Sequence, residues 1–128
     1  MAKLRTILGL VGGVILILSS IAHTFMGWEA IRTQLSVLPV GSDLVQGLRV
    51  AWVFGGMTML VLGIISVLLF LRRLRGEGQS TLFAFLTGAG YLAFGVWALV
   101  VTGFDPFCII FLLPGCLLTF AGSAVLKA

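Results

Sequence analysis

Charge is what this sequence has least of. Of 128 residues only 9% are charged, eight of them Lys or Arg and four Asp or Glu. A soluble domain of ordinary composition carries about 25% charge. With 60% hydrophobic residues, a chain this short has more apolar surface than a water-soluble fold can bury. Histidine is nearly absent: His23 is the only one. A single histidine cannot supply both axial ligands of a b-type haem, and with only two cysteines, Cys108 and Cys116, it makes a poor metal site. The cysteines stand eight positions apart on one expected helix, about 12 Å, which is beyond disulfide reach. They form no C-x-x-C pair for redox work. No phosphate loop, H-E-x-x-H or nucleophile motif occurs. The residues predict neither a cofactor nor a metal.

What the sequence does have is four apolar runs, at about 6–28, 50–71, 81–102 and 108–126. Each approaches the ~20 residues a helix needs to cross a bilayer. They are continuously apolar, whereas barrel strands alternate and are about 10 residues long. The expected fold is therefore all-α: an integral membrane four-helix bundle forming one transmembrane domain over 1–128. Lys3 and Arg5 before the first run resemble a signal-peptide start. The run is too long for that and ends without a small-residue cleavage site, so it reads as a true span.

Basic residues are unevenly placed. Lys3, Arg5, Arg72, Arg73, Arg75 and Lys127 would share one side of a four-span topology, and Arg32 and Arg49 the other. The positive-inside rule predicts both termini in the cytoplasm and location in a bacterial inner membrane. Membrane lipids are the expected partners, with a homo-oligomer or larger complex open. The basic cluster is too short, and lacks a soluble domain, for nucleic-acid binding. Glu29, Asp43 and Asp105 fall outside and Glu77 inside; Trp28, Trp52 and Trp97 lean outward, as indoles do at an interface.

The connection between the first two runs repeats Ile31, Leu35 and Leu38 opposite Arg32, Thr33 and Gln34. This predicts a short amphipathic outer-loop helix, ended by Pro39 and Gly41, with Ser42 placed to cap a second span starting as early as Asp43. Among 17 glycines, Gly9 with Gly13, Gly56 with Gly63, and Gly88 with Gly95 repeat on helix faces, with Ala84 and Leu92 beside Gly88. Such spacing predicts close helix packing, the alternatives being an oligomer interface or a ligand cavity. Leu10 and Leu99 are expected to face outward. Pro114-Gly115 inside the fourth run predicts a kink, which is either shape alone or the opening of a pocket beside Cys116 and Thr119.

His23 is the main candidate for chemistry. It follows Ser19 by four positions, with Ser20 and Thr24 as a neighbouring polar pair, so a polar stripe runs through an aliphatic helix. Ionisable residues within a membrane are functional candidates; the plain alternative is a neutral imidazole bonded to a neighbouring helix. Glu29, Arg49 and Asp105, at the ends of three spans, would form a charge cluster above His23 or be ordinary surface charge. Tyr91, in mid-span, should find a hydrogen-bond partner.

Three short pieces resemble small four-span bacterial membrane proteins, DoxX-like in architecture. These are His23-Thr24-Phe25-Met26-Gly27-Trp28, Gly47-Leu48-Arg49-Val50-Ala51-Trp52-Val53-Phe54-Gly55, and Phe104-Asp105-Pro106 leading to Leu113-Pro114-Gly115. The resemblance implies a fold and little function. Small multidrug transporters carry a glutamate in the first span, fluoride channels a glycine-rich motif ending in arginine, and four-span thiol oxidoreductases cysteine pairs; none is present. The leading expectation is a binding or accessory protein holding a lipid-like or other apolar ligand, with His23, Trp28, Glu29, Arg49, Trp52, Tyr91, Trp97 and Asp105 as ligand-binding candidates. The alternative is an enzyme using His23 as acid/base on a lipid or isoprenoid. A small transporter comes third.

Overall fold

The structure is a computed structural model and describes residues 1–124. All of its regular structure is helical, with no strand among the described residues. Helix α1 covers Ala2–Ile21 and passes through a wide π turn, Ala22–Gly27, into α2, Trp28–Leu35. Helix α3 covers Ser42–Leu74 and α4 covers Leu82–Val101. A 3₁₀ turn, Pro106–Cys108, leads into α5, Ile109–Gly122.

Three helices are long and apolar enough to cross a membrane: Ala2–Leu35, Ser42–Leu74 and Leu82–Val101. Their outer surfaces carry large exposed apolar side chains along their length, among them Val14, Leu18, Val61, Leu68 and Val100. Among the described residues the fourth run departs from its hydropathy at its start. Cys108, expected inside it, belongs to the preceding 3₁₀ turn, and α5 has 14 residues. The expected end of that run, Val125 and Leu126, and the basic Lys127 lie outside the described residues.

The helices run up and down in turn. Lys3, Arg5, Arg72, Arg73 and Arg75 therefore lie at one end of the bundle, and Arg32, Arg49, Glu29, Asp43 and Asp105 at the other. Helix α1 packs along α3 on one side and α5 on the other; α4 packs along α5; α3 and α4 barely touch. The glycine faces explain the tight seams. A Cβ on Gly13 would stand 3.0 Å from the Val67 nitrogen and 3.2 Å from the Gly63 carbonyl, and one on Gly63 3.0 Å from the Gly13 carbonyl. Gly88 and Gly115 stand in the same relation between α4 and α5, and a Cβ on Gly88 would strike the Thr119 backbone nitrogen. Gly9 makes room for the ring of Phe70. These contacts support the packing reading of the glycines.

The solid core lies toward the arginine end, where Leu16, Phe70, Ala84, Leu118 and Ala121 meet. There Thr81 donates from Oγ1 to the buried Gly122 carbonyl at 2.9 Å, tying the start of α4 to the end of α5. Pro114 is fully buried within α5 without ending the helix. Cys116 is exposed and Cys108 buried, both as free thiols.

Several sequence expectations need correction. The segment after Trp28 is not a separate helix on the surface: α2 continues α1 through the π turn. Its amphipathic pattern holds over Ile31 and Leu35, which are half-buried, but Leu38 lies beyond the helix and is exposed. Ser42 is the first residue of α3 and not its cap; Gly41 holds the cap position, and the Ser42 hydroxyl turns to Asp43 Oδ1 at 3.4 Å. Leu10 packs against the core and Leu99 is half-buried, so neither faces freely outward.

Candidate functional site

Two cavities lie from mid-bundle toward the end opposite Arg72, Arg73 and Arg75, and His23 lines both. The π turn places it. A π turn widens the helix by one residue per turn and is common at functional sites. Here it spans Ala22–Gly27, which brings the His23 imidazole over the Trp52 indole of α3. The rings stack 4.2 Å apart and within 8° of parallel. Trp52 Nε1 donates to the backbone carbonyl of His23 at 2.6 Å. Gly27 and Gly55 permit the approach: a Cβ on Gly27 would stand 2.8 Å from the Trp52 ring, and one on Gly55 3.3 Å from His23 Nε2. His23 Nδ1 is buried and has no hydrogen-bond partner.

The inner cavity exists because α3 and α4 diverge. It has a volume of about 560 Å³ and is almost wholly apolar, with Met59 and Leu62 on α3, Tyr91 and Phe94 on α4, and Phe111 on α5. Thr87 and Gly90 complete its α4 wall, and Gly90 faces open space. Phe111 meets Phe94 edge-on, 4.9 Å between centroids, and closes the back. Leu86 and Gly90 are exposed at its mouth, so it opens sideways between α3 and α4.

The outer cavity, about 730 Å³, lies between the α1–α2 helix and the α4–α5 loop. Its polar lining is Ser19, His23, Gln34, Thr102 and Asp105, with Trp52 and Phe107 as aromatic walls. The loop is held firmly. Gly103 and Phe104 both adopt φ 67°, a left-handed backbone unusual for phenylalanine. Asp105 Oδ1 accepts from the Phe107 amide at 2.8 Å, and Thr102 Oγ1 contacts Cys108 Sγ at 3.6 Å.

The sequence candidates divide accordingly. His23, Trp52, Tyr91 and Asp105 come to the two cavities. Trp28 and Arg49 line a separate crevice between α2 and α3, with Arg32 and Ser42. Glu29 pairs with Arg32 at 2.6 Å on the exposed side of α2. The cluster of Glu29, Arg49 and Asp105 above His23 is therefore not formed; Asp105 alone of the three reaches the cavity. Trp97 is 58% exposed and packs 5.6 Å from Phe94, behind the cavity wall. Ser19 follows His23 to the outer cavity, whereas Ser20 and Thr24 turn toward α3, where Thr24 Oγ1 occupies the space a side chain at Gly56 would need. The Tyr91 hydroxyl has no hydrogen-bond partner among the described residues; it borders the cavity instead.

Sequence reasoning passed over Met59, Leu62, Thr87, Gly90, Phe94 and Phe111. Apolar residues do not stand out in apolar helices. One signal was present: Gly90 lies off the face shared by Ala84, Gly88 and Gly95, so helix packing alone did not require it.

No protein-family model matches the chain, and neither the curated proteins nor the solved structures contain a match.

Proposed function

We propose that this is a four-span protein of the bacterial inner membrane, DoxX-like in architecture, that holds a lipid-like or other apolar molecule in the cavity between α3 and α4. The apolar outer surfaces of all four helices support a membrane setting. In that setting the short α5 sits against α1 and α4 and spans with the help of its 3₁₀ turn. The arginine-rich end faces the cytoplasm under the positive-inside rule, which puts His23, Trp52 and Asp105 in the outer half.

One observation carries the ligand reading: a sideways-opening, almost wholly apolar cavity of about 560 Å³ between α3 and α4. Ligand sites commonly measure about 300–1,000 Å³, with a few placed polar groups in an apolar wall. His23 and Tyr91 are those groups here. In a bilayer such a cleft does not stay empty, since an acyl or isoprenoid chain fills it at little cost.

The test is native mass spectrometry of the protein purified in mild detergent. The wild type carries a bound lipid-like molecule. Gly90→Leu, which places a side chain in open space inside the cleft, loses it. Gly47→Leu, where an added Cβ also meets nothing but outside the cavity, keeps it. A bare wild type, or equal retention in Gly90→Leu, overturns the reading.

A second reading rests on the unpartnered His23 Nδ1. An imidazole held by stacking and left free at its nitrogen suits proton transfer to a bound lipid or isoprenoid. It requires a turned-over molecule among those that co-purify. Unchanged turnover in His23→Ala excludes it.

A further inference from the structure

We propose that the preferred ligand is a single-chain amphiphile with a cationic head, its tail in the α3–α4 cavity and its head in the outer cavity against Asp105. The inference rests on the ligand reading above and adds the chemistry of the head. The two cavities share His23 as a common wall. One is apolar and opens toward the hydrocarbon; the other carries the polar groups. The outer cavity is mostly apolar as well, with its polar groups confined to Ser19, His23, Gln34, Thr102 and Asp105, so a molecule that reached from one cavity to the other past His23 would be apolar over most of its length and polar at one end.

The outer cavity selects the sign of the head. Its one formally charged lining residue is Asp105. The basic residues at this end stand elsewhere: Arg49 and Arg32 border the α2–α3 crevice, and Arg32 is engaged by Glu29. A phosphate or carboxylate head would thus meet a carboxylate and no guanidinium. The Asp105 carboxylate is oriented by the Phe107 amide through Oδ1, which leaves Oδ2 without a partner among the described residues. Trp52 and Phe107 supply aromatic faces on the same cavity, and a cation is attracted to such faces as well as to the carboxylate. Asp105 is exposed, so each contribution is modest; together they favour a cationic over a neutral head by roughly three- to tenfold.

Three probes with one undecyl chain, brominated on the third carbon from the head so that the bromine sits beside Trp52, test this: a trimethylammonium, an alcohol and a sulfate, whose charges do not change with pH. The protein is reconstituted in zwitterionic nanodiscs, and each probe's partitioning is measured on empty nanodiscs and subtracted. Bromine quenches tryptophan by contact, so a Trp28→Phe/Trp97→Phe background reports on Trp52; native mass spectrometry of the unaltered protein with the same probes gives a second measurement. The expected order is ammonium, then alcohol by roughly three- to tenfold, then sulfate. Asp105→Asn removes the ammonium advantage and leaves the alcohol unchanged, and Gly90→Leu weakens all three. If sulfate binds as well as ammonium, or Asp105→Asn leaves the order intact, the head assignment falls while the cavity reading stands. If no probe binds saturably, or Gly90→Leu changes nothing, the cavity reading falls as well.

Discussion

The imidazole of His23 lies parallel to the indole of Trp52 at 4.2 Å, and the same indole donates its N–H to the His23 backbone carbonyl at 2.6 Å. One residue of α3 thus holds both the side chain and the main chain of the π turn. Trp52→Phe keeps an aromatic face but removes the donor, at an expected cost of about 1 kcal/mol. Trp52→Ala also empties the space beside His23 and should cost about 3 kcal/mol. Thermal unfolding in a fixed detergent ranks the variants; equal midpoints would mean that the hydrogen bond carries all of the effect.

The glycines divide into two groups by what surrounds them. At Gly88 even a methyl group would meet the backbone of α5, and at Gly13 the backbone of α3. Gly88→Ala and Gly13→Ala should each lower the unfolding midpoint. Gly47→Ala, in open space on a helix, should raise stability by up to about 1 kcal/mol through helix propensity. A uniform response across the three would mean that close helix approach is not what these residues provide.

The hydroxyl groups of Thr81 and Tyr91 should differ in weight. Thr81 donates to a carbonyl of another helix in a buried setting, so Thr81→Val leaves that carbonyl unpaired and should cost about 1–3 kcal/mol. Tyr91 loses no hydrogen bond on truncation, and Tyr91→Phe should fall within about 0.5 kcal/mol of the wild type. Unfolding midpoints of the two variants, compared in one detergent, check the contrast.

Sidedness follows from the ends of the bundle. With Cys108 and Cys116 replaced by serine, a cysteine at Ser42 should react with an impermeant reagent added to intact cells. One at Gln79 should react only after permeabilisation. The reverse pattern would invert the orientation that the basic residues assign.

Hydropathy made the helices legible, because lipid selects continuous apolar runs. It misjudged their ends for the same reason. The helix through Trp28 continues to Leu35 although Glu29, Arg32 and Gln34 are polar, since a helix leaving a hydrophobic layer satisfies its backbone in water just as well. The last run read as starting one residue before α5 because Cys108 is apolar yet sits in a 3₁₀ turn. His23 and Trp52 both stood out singly as polar and interfacial residues. Their stacking did not, because it depends on a local widening of the helix that no spacing rule encodes. Of the two readings of Glu29, Arg49 and Asp105, surface charge fits the first two and a cavity position the third: Glu29 pairs with Arg32, Arg49 borders the α2–α3 crevice, and Asp105, in the α4–α5 loop, lines the outer cavity.

The helix pairs differ in reach. At 1.5 Å per residue, the 34 residues of Ala2–Leu35 and the 33 of α3 extend about 50 Å, whereas α4 extends about 30 Å and α5 with its 3₁₀ turn about 25 Å. A hydrocarbon layer of ~30 Å accommodates the short pair flush and leaves the tall pair standing some 20 Å proud of it. The two pairs join chiefly along α1 and α5, while α3 and α4 stay apart. The cleft is therefore the one side of the bundle where neighbouring helices differ in height as well as standing apart, so the projecting start of α3 rises beside its upper rim with no equal length of α4 facing it.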